Sequence, residues 1–369
     1  MNPFLLKSYK SAEYFCDRRL ETDKLISAIN NNQDITLFAY RRLGKSALIH
    51  HVFNKIKNDY ICVYIDIWGT SNIDEFTKEF ANSIIQSTLF SKRSIKGKLS
   101  SFLKSIGASF SFDMDGKPKV DFMYHDNKHS FHGIEEIFSF LHQSKIPIVI
   151  AIDEFQEIKK YDSATPFEGK LRALIQQTAN INFIFSGSEQ HLINEIFNTY
   201  SKPFYQSTRM LTIDKIDKTE YHEFILSQFK KGNKVINPEI ISHILDITHV
   251  HTYYVQAVAN FLYSQTVLPT NIYEFEILYK DYILEKSVFY RELPDRLTKQ
   301  QFAAVKSFAK QGKVTSPTSA SFMGKTSIKS TSSMQRALNS LLEKQIVIKD
   351  KDAYRLYDVF LEHYLKYFK

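Results

Sequence analysis

A chain of 369 residues, 43% hydrophobic and 24% charged, has the composition of a folded protein with room for two or three cores, which excludes a disordered tail. Two cysteines, Cys16 and Cys62, give neither a disulfide framework nor a CxxC metal pair. The apolar run IPIVIAI is far short of the roughly 20 residues of a membrane span, so a cytoplasmic protein with no membrane partner is expected. The net charge of +8 belongs to one end: residues 295–369 hold 14 Lys+Arg against 6 Asp+Glu, and the chain before them is neutral. A polyanion partner for that end, or merely solvated lysines on a small domain, would account for it.

In chain order, ITLFAY (35–40) reads as a buried strand, and KSALIHHVFNKI after it as a helix with Leu48, Val52 and Ile56 on one face. YICVYIDIW (60–68) is a second apolar run. Residues 92–130 break the rhythm with two alternating runs around a Gly-Lys-Pro turn, which predicts a β-hairpin insertion. IPIVIAID (146–153) and INFIFSGS (181–188) are again short, β-branched and nearly continuous in apolar character, as parallel strands buried on both faces read. Between them FEGKLRALIQQ is helical, and Glu168 with Arg172 at i,i+4 reads as a surface ion pair. After RMLTIDKI (209–216) the strand signals stop. KTEYHEFILSQF, NPEIISHILDI and HTYYVQAVANFLYSQ are helices, the second opened by Asn237 and Pro238. A helix from Thr298, a second around 318–326, a third in SSMQRALNSLLEK and short strands in IVIKD and AYRLYD follow in winged-helix order. The domains expected are an α/β core over 1–216, a helical lid over 217–290 and a winged helix over 291–369.

The segment LFAYRRLGKSALIHHVF carries the first chemistry. In a GxxxxGK[ST] loop the backbone N–H groups wrap phosphates at a helix N-terminus, the lysine reaches the β- and γ-oxygens, and the hydroxyl binds Mg²⁺. Gly44, Lys45 and Ser46 keep that end, Tyr40, Arg41, Arg42, Leu43 and Ala47 complete the loop, and Ala39 stands where the first glycine belongs. An alanine forced to positive φ there costs roughly 1 kcal/mol. A second motif, IVIAIDEF, ends a strand in two carboxylates. Asp153 suits a magnesium-holding acid and Glu154 an acid that polarises the attacking water. The plain alternative is a surface acidic pair. His50 and His51 are neighbours on one helix and point to different sides, which argues against a metal site.

With both motifs in view the chain resembles the archaeal-type ATPase family, a branch near the STAND group of AAA+-like P-loop ATPases. The family's F-G-R-x-x-E signature appears as Phe15, Asp17, Arg18 and Glu21, its GPRRxGKTSL loop as AYRRLGKSAL, and its IDEFQ strand as IDEFQEI. Its FSGS strand appears as IFSGSEQHLI, and later elements as KPFYQSTRM, VHTYYVQ and YRLYDVFLEHYL. The resemblance implies a P-loop parallel-sheet core, ATP and Mg²⁺ as cofactors, and ATPase activity. It implies further that Arg18 lies near the adenine, that Ser186 or Ser188 senses the γ-phosphate or lytic water, and that Arg209 responds to the γ-phosphate in cis or across a subunit boundary. His251 would couple nucleotide state to the helical domain, although a capping or core histidine is the plainer reading. Asp17, Ala39, and Val250 with Thr252 depart from the family's glycines and proline.

On the basic third helix Met334, Leu338, Leu341 and Leu342 form the buried stripe, leaving Ser333, Gln335, Arg336, Asn339 and Lys344 outward, with Lys325 and Lys329 ahead of them. Those residue types suit base edges and phosphates of duplex DNA, while a packing or partner-protein surface is the alternative. The sequence therefore predicts an ATP-driven switch that couples nucleotide state to a basic winged helix. A DNA-binding regulator with structural nucleotide, or a scaffold that self-associates or holds a partner effector, are the other readings.

Overall fold

The computed structural model describes residues 1–90, 108–112, 118–122, 127–162 and 164–369. Lys7–Ile216 form one compact unit; Met1–Leu6 and Asp217–Lys369 form a second. The first contains strands β1 (Ile35–Phe38), β2 (Ile61–Asp66), β3 (Ala108–Phe112), β4 (Pro118–Phe122), β5 (Ile148–Asp153), β6 (Ile181–Gly187) and β7 (Arg209–Thr212). Five of them make a parallel sheet in the order β2-β5-β6-β1-β7. β3 and β4 pair antiparallel from Ala108↔Phe122 to Phe112↔Pro118, and the rest of the hairpin expected over 92–130 lies outside the described residues.

The sheet is covered on both sides, which is why its strands read as apolar runs rather than alternations. Ile148, Ile150 and Ile152 of β5 join Val63, Ile65, Phe183 and Phe185 in one core, together with Ile73, Phe76 and Phe80 from helix α3 (Ile73–Phe90). Val149 and Ala151 point the other way, into a core with Leu37, Ile184 and residues of α1 (Arg19–Asn30) and α2 (Lys45–Ile56). Because all five strands run the same way, the segments leaving β1, β2, β5 and β6 emerge at one edge of the sheet, where open α/β sheets bind ligands.

One expectation for this unit fails. Glu168 is fully buried rather than on the surface, and its carboxylate lies 3.4 Å from the Lys159 ammonium. Arg172 acts instead on Asp34, whose carboxyl is raised by burial while the Phe183 N–H and Arg172 oppose the shift. Helical spacing matched two charges, but Glu168 falls on the stripe with Phe167 and Leu171 that faces the core.

In the second unit, helices Lys218–Lys231, Pro238–Ile247, Thr252–Tyr263 and Ile272–Lys286 are each defined at their starts by sequence. Asp217 accepts from the Thr219 and Glu220 N–H groups, Asn237 from Glu239 with Pro238 in the first turn, and Asn271 from Glu274. The first six residues belong here too: Phe4 is fully buried against Phe229 and Tyr263, and Asn260 Nδ2 donates to the Phe4 carbonyl at 2.7 Å. Thr298 closes a capping box with Gln301 to open Lys299–Gln311. Ala320–Met323 and Thr331–Glu343 follow, then β8 (Val347–Asp350) and β9 (Ala353–Leu356) as an antiparallel wing, which Val314 extends by bridging to Tyr354. A last helix, Val359–Phe368, is capped by Asp358 through the Phe360 and Leu361 N–H groups. No described helix is long and apolar enough to cross a membrane.

Candidate nucleotide site

The loop between β1 and α2 is shaped by two left-handed residues, Arg42 at φ 63° and Gly44 at φ 96°, the second being the N-cap of α2. Lys45 and Ser46 thus open a helix, where N–H groups without intrahelical partners favour an anion. Ala39 is not among the residues with positive φ; it is fully buried and its N–H reaches the Gly187 carbonyl at 3.4 Å. Arg18 braces the loop from behind. Its buried guanidinium donates to the Leu43 carbonyl at 3.2 Å, the Asp214 carbonyl at 2.5 Å and Glu21 at 2.9 Å. Asp17 and Arg18 are both left-handed, at φ 50° and 66°, so the place where the family carries glycine does require glycine-like backbone.

Two strands away, β5 delivers Asp153 and Glu154 to the same edge. Lys45 Nζ lies 3.0 Å from Asp153 Oδ1 and 3.0 Å from Glu154 Oε1. Ser46 Oγ donates to Asp153 Oδ2 at 2.6 Å, and Tyr64 from β2 donates to that same oxygen at 2.5 Å. Ser186, at the end of β6, donates to Asp153 Oδ1. Glu154 Oε2 takes Ser188 at 2.7 Å and Gln156 Nε2 at 2.5 Å. Glu154 itself sits at φ 55°, and its N–H turns back onto Asp153 Oδ1 at 3.0 Å. A non-glycine residue there costs of order 1 kcal/mol and persists only where its surroundings over-determine it. Phe155 supplies that constraint: it is fully buried, its ring centroid 4.6 Å from that of Phe185 and 5.5 Å from that of Phe204.

Electrostatics follow from this packing. Burial opposes ionisation of Asp153, but Lys45 and the hydrogen bonds from Ser186, Ser46 and Tyr64 outweigh it and hold the carboxyl well below the usual range. Burial likewise acts against the Lys45 ammonium, and the two carboxylates reverse the effect and raise it. Asp66, the register partner of Asp153 on β2, moves up, chiefly through burial.

Other expected residues lie elsewhere. Arg41 reaches sideways to Ser188 Oγ at 3.4 Å and Glu189 at 3.3 Å, with its guanidinium 5.1 Å from the Trp68 ring centre. Arg209 does not join the cluster: it is exposed at the start of β7 and pairs in register with Ile35, three residues before the strand gives way to the loop. By that register it stands about 10 Å back along the strand from the level of Phe38. His251 is a buried N-cap residue of Thr252–Tyr263, 4.9 Å from Tyr254 and 5.8 Å from Tyr357 between ring centroids. On Thr331–Glu343, Gln335, Arg336 and Asn339 are exposed and Ser333 half-buried, Gln335 donating to Asn339 at 2.8 Å, with Lys325 and Lys329 exposed before them. Tyr64 and Gln156 were missed as site residues. Gln156 stands inside the quoted IDEFQ run, whereas nothing in YICVYIDIW distinguishes Tyr64 from its neighbours.

A loop with lysine and serine at a helix start, set against an acidic pair at the end of a parallel strand two places along the sheet, defines the class: a P-loop ATPase fold with a C-terminal winged helix. The chain belongs to the family described as ATPase domain predominantly from Archaea, which matches residues 15–257; residues 288–367 match a "Probable winged helix domain". Among solved structures it is similar to a Walker-type ATPase of Pyrococcus abyssi, at 17% identity and TM-score 0.69 over 99% of both chains. It is also similar to the ORC2 protein of Aeropyrum pernix, solved in ADPNP–ADP complexes, at 11% identity and TM-score 0.59 over 99% of this chain and 95% of that one. ORC1 of the same organism, solved in complex with DNA, follows at 9% identity and TM-score 0.54, over 99% and 96%. At these identities the likeness is one of fold. No curated protein matches the chain.

Proposed function

We propose that the protein is a slow cytoplasmic ATPase switch in which the state of the nucleotide held by the β1–α2 loop sets the state of the basic winged helix. The observation that carries the reading is the Lys45 ammonium held 3.0 Å from both Asp153 and Glu154 at a helix N-terminus. Without phosphates, the lysine neutralises the two acids. When a triphosphate enters, Lys45 exchanges them for phosphate oxygens, and Glu154 Oε1 is released to accept a proton from water. Ser188 and Gln156 keep Oε2 engaged, so the carboxylate stays oriented while one oxygen works. Water oxygen then bonds to the γ-phosphorus as the bond to the β–γ bridging oxygen breaks, and the proton passes to Glu154.

The residues fit Mg²⁺: the Ser46 hydroxyl and Asp153 carboxylate are adjacent hard oxygens 2.6 Å apart. When bound, the cation supplies charge neutralisation at the transferring phosphoryl group. Arg209 takes part only if a second copy brings its exposed strand start to the site.

Phosphate release and fluorescent-ADP binding test the reading. Lys45→Ala should lose nucleotide binding, whereas Glu154→Gln should bind normally and release phosphate at least about 100-fold more slowly, a typical effect for a general base. Equal phosphate release by parent and both variants would remove Glu154 from the chemistry.

A second reading, a DNA-binding regulator, is favoured by the exposed Gln335, Arg336 and Asn339 on one helix face with no acid among them. Duplex affinity should then fall steeply with salt, and Arg336→Ala or Lys329→Ala should each lower the slope of log K against log salt by about one. Absence of binding at low salt removes this reading and leaves the winged helix as a protein surface.

A further inference from the structure

We infer that Tyr64 is a positioning residue for the metal–nucleotide site, its hydroxyl fixing the Asp153 carboxylate beside the Ser46 hydroxyl so that the oxygen pair suited to Mg²⁺ is set before nucleotide arrives. The inference rests on the ATPase reading above and assigns a residue from a strand that neither motif includes. β2 lies beside β5 with Tyr64 opposite Ala151 and Asp66 opposite Asp153. From there the half-buried phenol reaches toward the end of β5 and donates to Asp153 Oδ2 at 2.5 Å, the oxygen that Ser46 Oγ reaches at 2.6 Å.

The two carboxylate oxygens are thereby divided. Oδ1 accepts from Lys45, Ser186 and the Glu154 N–H, while Oδ2 accepts from Ser46 and Tyr64. Lys45 is the donor that must leave for the phosphates. Tyr64 and Ser46 hold the other oxygen throughout, so the carboxylate keeps its plane when its strongest partner departs. Partners of this kind around ligands of a cation typically tune its affinity by 10-fold or more.

One contact suits Tyr64 to this task. Its ring lies against His50 of α2, with centroids 4.4 Å apart, which fixes the phenol between the strand and the helix that carries Ser46. A tyrosine used only to fill space would not need that oxygen, because the ring alone makes the contact with His50.

Tyr64→Phe keeps the ring and removes the oxygen. Fluorescent-ADP titrations of the full chain, with Mg²⁺ and with EDTA, separate the roles, and Mn²⁺ titration of the ADP-loaded protein followed by electron paramagnetic resonance reads the cation directly. The expected result is ADP affinity in EDTA within about twofold of the parent, Mg²⁺ enhancement of that affinity reduced about 10-fold, and Mn²⁺ affinity reduced to match. Equal losses with and without Mg²⁺ would mean that the hydroxyl only supports the fold, and no change in either would mean that it does nothing; each overturns the assignment. Failure of the parent chain to bind ADP under either condition is a separate result, since it sinks the ATPase reading itself and the assignment with it.

Discussion

At the residue scale, Ala39 decides whether the loop is a working site or a relic. Glycine earns its place in a phosphate loop by adopting positive φ or by admitting a close backbone approach. Ala39 does neither: its φ is not positive and its side chain is buried without needing glycine's freedom. The left-handed turns are made at Arg42 and Gly44 instead. Ala39→Gly should therefore leave ADP affinity within about twofold and lower stability by roughly 1–2 kcal/mol, because it adds entropy to the unfolded chain and removes a buried methyl. Urea unfolding and the ADP titration check both halves; a clear gain in affinity would show that the alanine does strain the loop. Gly187 is the contrasting case, since an added Cβ would lie 2.4 Å from Ile193 Cδ1 and 2.5 Å from Gln156 Oε1. Its bare backbone leaves room for the Gln156 amide, whose Nε2 donates to Glu154.

At the scale of elements, strands and their chemistry were legible for one reason: a parallel sheet buried on both faces writes itself as β-branched runs, and its loops carry the polar residues. The β1–α2 loop, the acids ending β5 and the serines ending β6 stand at strand termini, where sequence order and spatial edge coincide. What was illegible depended on neighbours across the sheet. Tyr64 reaches Asp153 only because β2 sits next to β5, an adjacency that strand order along the chain does not give. Arg209 matched a motif, and only the register of β7 against β1 shows that it opens its strand opposite Ile35. Glu168 had a charge partner at helical spacing, but the stripe it shares with Phe167 and Leu171 decided its side. Val250, standing where the family carries glycine, adopts φ 53°, so the sequence marked a real backbone demand that a β-branched side chain meets under strain. Val359–Phe368 buries the unbroken run from Val359 to Leu365, with Glu362 and His363 inside it, so apolar spacing marks no single face.

At the scale of the whole molecule, a buried histidine of the second unit should contribute to the response to acid. In the loop's own unit Lys45 and its hydroxyl partners hold the Asp153 carboxyl well below the usual range, while burial lowers the His50 and His51 imidazoles as well. In the second unit, His363 of the closing helix is buried with its Nδ1 2.6 Å from the Tyr279 hydroxyl. Burial lowers its pKa to about 4; Glu362 and Glu276 oppose the shift, while His249 and Lys366 add to it. The groups facing it are Tyr279 and Glu276 on Ile272–Lys286, Glu362, Lys366 and Tyr367 on its own helix, and His249 after Pro238–Ile247. An imidazole in the unfolded chain titrates near 6.5. Between that value and about 4 the unfolded state binds the extra proton, so stability rises with pH across the window. The contribution is complete above about 6.5 and is lost as pH falls toward the folded value, to a total of about 3 kcal/mol at the rate of about 1.4 per unit. Urea unfolding followed by circular dichroism, at several pH values between those limits, should show the parent weakening in acid and His363→Gln weakening less. Parallel pH profiles for the two chains would place the acid sensitivity elsewhere, because a glutamine cannot take up the proton that the buried imidazole refuses.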